Sequence, residues 1–118
     1  MRKFFVLLAL GCFVALNFSA CKPKSESETP QKAVEAFLNY LSKDDFESAM
    51  GLATPETVEL LKQFQQNNFN LYKGSVIEVT GCEMISETQA ECNFTSDGDS
   101  ALIHANPIEG KWMVHMHK

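Results

Sequence analysis

Residues 89–95 read QAECNFT, and their alternation decides the fold. Ala90, Cys92 and Phe94 fall on one face, while Gln89, Glu91 and Asn93 fall on the other. A period of two marks a strand with one buried side. The pattern extends both ways from this stretch. Upstream, Ser75 to Ile85 contains VIEV and reads as a strand, with Ser86-Glu87-Thr88 as the turn between them. Downstream, Ser96-Asp97-Gly98-Asp99 is a turn signal, followed by a third strand over Ala101 to Asn106. Glu109-Gly110 is a second tight turn, and Lys111 to His117 forms the last strand.

Before Gly74 the period is helical. Thr29-Pro30 supplies an N-cap and a proline at the first helical position. Val34, Phe37, Leu38 and Leu41 then follow at i, i+3, i+4 and i+7, which predicts a helix over Pro30 to Leu41. Ser42 to Asp45 restarts a second short helix, which buries Phe46, Ala49 and Met50 and ends near Gly51 to Ala53. Asp44, Asp45 and Glu47 read as capping and solvated residues there. Thr54-Pro55 repeats the cap signal for a third helix carrying Val58, Leu60, Leu61 and Phe64, which fades out by Asn70. Helices first and strands second is an α+β order, with the helices on one face of a four-stranded antiparallel sheet.

The chain begins with an address. Arg2 and Lys3 precede the apolar run FFVLLALGCFVAL over residues 4–16, too short for a membrane span. Phe18-Ser19-Ala20-Cys21 follows, with small residues ahead of a cysteine. This segment resembles the signal peptide and lipobox of bacterial lipoproteins. The resemblance implies cleavage after residue 20 and a lipid on Cys21, with Phe18 standing where Leu is usual. Cleavage at Cys12 instead would leave FVALNF as an exposed stub. Residues 1–20 are thus read as a signal peptide, 21–29 as a lipidated tether and 30–118 as the domain. Acyl chains hold a small domain at a membrane. Removing residues 1–20 removes Arg2 and Lys3 and no acid, so the formal charge falls from −5 to −7. Such an acidic chain is unsuited to nucleic acid and to anionic headgroups.

A turn centred on Glu87 places Cys82 directly opposite Cys92. In an exported protein this predicts a cross-strand disulfide; two thiols buried as small hydrophobes are the alternative. No Cys-x-x-Cys is present, so the disulfide is read as a staple and not a redox centre. The Glu109-Gly110 turn likewise sets His104 opposite His115, with His117 two residues further. Imidazoles suit zinc. No acid is evident to orient them, so no metal and no cofactor are expected. Ile103, Ala105, Trp112, Val114 and Met116 on the other face are the expected core lining. No nucleophile elbow, phosphate-binding glycine loop or HExxH is present.

Two segments, TPQKAVEAFLNYLSKDDFESAMGLATPE over residues 29–56 and EGKWMVHM over 109–116, carry a wider likeness. They are similar to small bacterial lipoproteins with a nuclear-transport-factor-2-like (cystatin-like) domain of unknown function. That resemblance implies a curved sheet wrapped round the helices as a cone, with Phe46 and Trp112 as core anchors. Ketosteroid isomerases share this fold and use pocket Asp or Tyr residues, for which no match is placed here. The expected function is a membrane-anchored, non-catalytic binding or accessory module of the cell envelope, its partner an envelope protein or small ligand. The alternative is a small apolar-ligand binder or enzyme using the cone cavity.

Overall fold

The computed structural model describes residues 26–116. Among them, the helices are α1 (Pro30–Ser42), α2 (Phe46–Met50) and α3 (Pro55–Gln66). The strands are β1 (Ile77–Ser86), β2 (Gln89–Ser96), β3 (Asp99–Ile108) and β4 (Lys111–His115). The strands form one antiparallel sheet in the order β1-β2-β3-β4. The helices-then-sheet architecture expected from the sequence is therefore the one observed.

Local chemistry sets each helix start. Thr29 Oγ1 accepts from Lys32 N at 3.1 Å, and Pro30 enters the first turn where no donor is missed. Thr54 repeats this device ahead of Pro55. Asp45 caps α2, its carboxylate accepting from Ser48 N at 3.2 Å. Val34, Phe37, Leu38 and Leu41 of α1 are all buried. They pack with Cys92, Phe94, Ile103, Ala105 and Val114 on the inner face of the sheet. Each buried residue of this size contributes about 1.5–3 kcal/mol. Phe46 is buried as expected, whereas Trp112 is only half-buried and packs at the periphery of the core.

Turn chemistry fixes two of the three registers. Asp97 and Gly98 have φ of 52° and 90°, and Glu109 and Gly110 have 51° and 79°. Two consecutive left-handed residues match the twist of a two-residue hairpin. The Glu109-Gly110 turn brings His104 opposite His115, as expected. Glu87 and Thr88 lack this pair of left-handed residues. Their hairpin closes at Ser86 and Gln89, one residue tighter than a turn centred on Glu87, and a register shift at Ile85 absorbs the difference. Met84 therefore still faces Ala90, and Cys82 still faces Cys92. The two cysteines are joined, with an S–S distance of 2.02 Å. A second shift at Thr80 lets both Val79 and Cys82 pack toward the core, although they stand at odd and even positions.

The outer edge of β4 is covered by the chain entering α3. Ala53 bridges Val114 in parallel, Val114 N donates to Leu52 O at 2.7 Å and Thr54 N donates to Val114 O at 2.9 Å. Residues 26–29, expected within the tether, lie against the domain instead. Trp112 N donates to Ser27 O at 2.9 Å, Ser27 is buried, and the Tyr40 hydroxyl donates to Glu26 at 2.5 Å. That bond holds the Tyr40 pKa above its ordinary value. The backbone donor of β4 thus finds its partner in a segment with no apolar residue to announce it.

Two outcomes follow for stability. Replacing Cys82 and Cys92 together by alanine is expected to cost about 2–3 kcal/mol in urea denaturation, the value for so short a loop. Alkylation without reductant should label neither cysteine. The Asp45 carboxyl is held below the usual carboxylate range by its hydrogen bonds from Ser48. Its contribution is present above that range and is lost as pH falls through the lowered pKa. Asp45→Asn should flatten that part of the acid-denaturation curve.

Candidate functional site

The two ends of the helical layer carry the same motif. At the end of α1, Asp44 N donates to Leu41 O at 2.9 Å and Asp45 N to Tyr40 O at 2.8 Å. At the end of α3, Asn68 N donates to Gln65 O at 3.2 Å and Phe69 N to Phe64 O at 2.8 Å. These are Schellman closures, which require a left-handed residue just past the helix. Asp44 (φ 62°) and Asn68 (φ 54°) fill the position where glycine is usual. At α3 the accompanying apolar contact is an edge-on pair of rings, Phe64 and Phe69, 5.1 Å apart.

Asn70 ties the two ends together. Its Nδ2 donates to Leu41 O at 2.7 Å and to Asp44 Oδ1 at 3.0 Å, and its Oδ1 accepts from Tyr72 N at 3.1 Å. Gly74 N adds a bond to Ser42 O at 2.8 Å. The result is a polar cleft of ≈ 330 Å³ lined by Asp44, Phe46, Gln65, Asn68, Asn70 and Lys73. Lys73 Nζ stands 3.7 Å from Asp44 Oδ2, an exposed pair with little net energy of its own. The volume lies at the lower end of the range for small-molecule sites.

The space between the helices and the α3–β1 connection is smaller. An apolar throat of ≈ 70 Å³ is lined by residues including Leu41, Phe46, Leu61, Phe64, Tyr72 and Met116. Among the described residues, no carboxylate and no histidine lines it. Burial raises the Tyr72 pKa above its ordinary value. Phe37, Leu38, Phe94 and Val114 fill the interior behind it.

The histidine face differs from expectation in one respect. Glu91 stands directly across the strand from His104, with Oε2 3.3 Å from Nε2. An acid does orient that ring. The Ser96–Asp99 turn fixes this pairing, so the contact was legible from the sequence once that register was applied. His115 has a different partner: Nδ1 lies 2.9 Å from Thr54 Oγ1. Thr54 bonds Thr57 at 2.9 Å, and Thr57 Oγ1 accepts from Met116 N at 2.8 Å. These buried hydroxyls fasten the end of β4 to the start of α3. Among the described residues, no group of three or more His, Cys, Asp or Glu is placed to hold a metal ion. Cys21 and His117 lie outside the described residues.

No family model matches the chain, and no curated protein matches it. The chain is similar to the crystal structure of an NTF-2-like protein of unknown function from Shewanella oneidensis MR-1. The two are 12% identical, with a TM-score of 0.43 over 71% of this chain and 92% of that one.

The clasp predicts a specific sensitivity. Asn70→Ala strips a bond from the Leu41 carbonyl and one from Asp44, and should cost about 1–3 kcal/mol in urea denaturation. Asn70→Asp should not restore it, because a carboxylate donates to neither.

Proposed function

We propose that the chain is a lipid-anchored, non-catalytic binding module of the bacterial cell envelope. The observation that carries this reading is the contrast between the two clefts. The apolar throat is about a fifth the volume of the outer cleft, and among the described residues no ionisable group suited to acid–base work at neutral pH lines it. The outer cleft has the size of a ligand site and a polar lining built on locked helix ends. A preset site of this kind binds without first paying to order its walls.

Anchoring rests on the sequence of residues 1–21. Among the described residues, no helix is long and apolar enough to cross a membrane. The acidic domain gives headgroups little to attract, which leaves the acyl group on Cys21 as the attachment. Partners are then met by local concentration at the membrane, either an envelope protein or a small ligand.

Cell fractionation of Cys21→Ser tests the anchor. The variant is expected in the soluble fraction without acyl label, folded as the wild type is. Membrane association with retained label would refute the proposal.

A further inference from the structure

Three of the exposed apolar side chains share one surface. Phe69, Leu71 and Leu102 are 48%, 68% and 55% exposed. Phe69 and Leu71 stand at the apolar throat with Tyr72 and Met116, and Leu102 lines the neighbouring hollow with the same two residues. The three therefore form one belt around Tyr72 and Met116. Single exposed apolar residues need no explanation, but a contiguous group marks an interaction surface. The chain carries fifteen Asp and Glu, yet among the described residues none lines the throat or the hollow. Tyr72 adds an aromatic body with a polar tip, a side chain favoured where an apolar phase meets water.

The route of the chain says what covers this belt. Thr29 caps the start of α1, yet Glu26 is bonded to Tyr40 in the last turn and lines the surface beside Asn39. The chain ahead of Thr29 therefore runs back along α1 and leaves beside its closing turn. The α3–β1 connection is tied to that same turn, with Asn70 Nδ2 donating to Leu41 O and Gly74 N to Ser42 O. Phe69 and Leu71 flank Asn70 in this connection. Residues 22–25 separate Glu26 from Cys21, and five extended steps span at most about 18 Å. With Cys21 acylated, the bilayer lies within that reach of the chain's exit. A second copy is too wide to stand between, since a domain of roughly 100 residues has a radius of gyration of about 13 Å. A lipid surface is the occupant that fits.

We propose that Phe69, Leu71 and Leu102 dip into the headgroup boundary of the membrane and set the orientation of the domain on it, with Tyr72 at the interface. This rests on the anchor proposed above: the acyl group supplies attachment, and the belt supplies direction. Apolar contact orients an acidic domain without calling on charge. The polar cleft shares Phe46 and Asn70 with the throat, so in this orientation it opens beside the bilayer. An anchored module meets its partners there.

The test places the full lipidated mature protein in nanodiscs of phosphatidylethanolamine and phosphatidylglycerol. A small fraction of the lipid carries a gadolinium chelate on its headgroup, and backbone amide signals are followed by NMR. The amides of Phe69, Leu71, Tyr72 and Leu102 are expected to broaden more than those of Glu109 and Gly110, the turn at the far end of β3. Leu71→Ser combined with Leu102→Ser should lose that excess. Both side chains are mostly exposed, so the melting curve should be unchanged. Even broadening over the domain, or stronger broadening at Glu109 and Gly110, would overturn the proposal. So would an excess that survives in the double variant. Belt signals that shift with protein concentration, without the broadening, would assign the surface to a second copy and overturn it too. A protein that fails to co-elute with the discs overturns the anchor and this proposal together, whereas co-elution without the excess overturns this one alone.

Discussion

The packing of α1 on the sheet is the constraint on which the structure depends. One stripe, Val34, Phe37, Leu38 and Leu41, touches all four strands. The sheet meets it with a mixture of sizes. Cys92 and Ala105 are small and fully buried, while Phe94, Ile103 and Val114 fill the space between. Small residues let the helix approach closely, and the larger ones interdigitate with Phe37 and Leu38. A four-stranded sheet without that cover would expose an apolar face to water. The disulfide adds to this arrangement by fastening β1, an edge strand of the sheet, to β2.

Burying α1 centrally also decides where chemistry is available. Its side chains occupy the hollow that a curved sheet would otherwise leave, and the ≈ 70 Å³ throat lies beyond them, between the helices and the α3–β1 connection. Polar groups collect instead where α1 and α3 end, because each end must satisfy its last carbonyls. Asn70 does this for α1 and so draws the α3–β1 connection against it. The outer cleft is a by-product of two helix terminations placed side by side. The buried Thr54–Thr57 pair serves the same need at the other end of α3, where it takes up the Met116 amide and the His115 ring.

Much of this was legible in the sequence. The Asp97-Gly98 and Glu109-Gly110 turns announce their left-handed pairs, and the His104–His115 pairing follows directly. The helix starts were equally plain, since Thr-Pro states both the cap and the first turn. The helix ends were not. Asp44 and Asn68 stand where glycine would have given the signal, so the sequence carries no mark of their closures. The two register shifts in β1 were readable only in part. Val79 and Cys82 both facing the core demands an extra residue between them, but nothing in the sequence names Thr80 as that residue. Ser27 was missed because backbone hydrogen bonding to Trp112, and not apolar burial, holds it. The cleft shares this origin: exposed polar side chains carry no periodicity.

Hydrogen exchange at individual backbone amides tests the central claim most directly. If α1 is the shared core of the fold, its amides from Val34 to Leu41 exchange only on global unfolding. They should then match the slowest amides of β2 and β3 and give the same free energy. Exchange of α1 that is orders of magnitude faster than that of the sheet would contradict this. It would mean that the helix lifts away and that the interior opens to ligands.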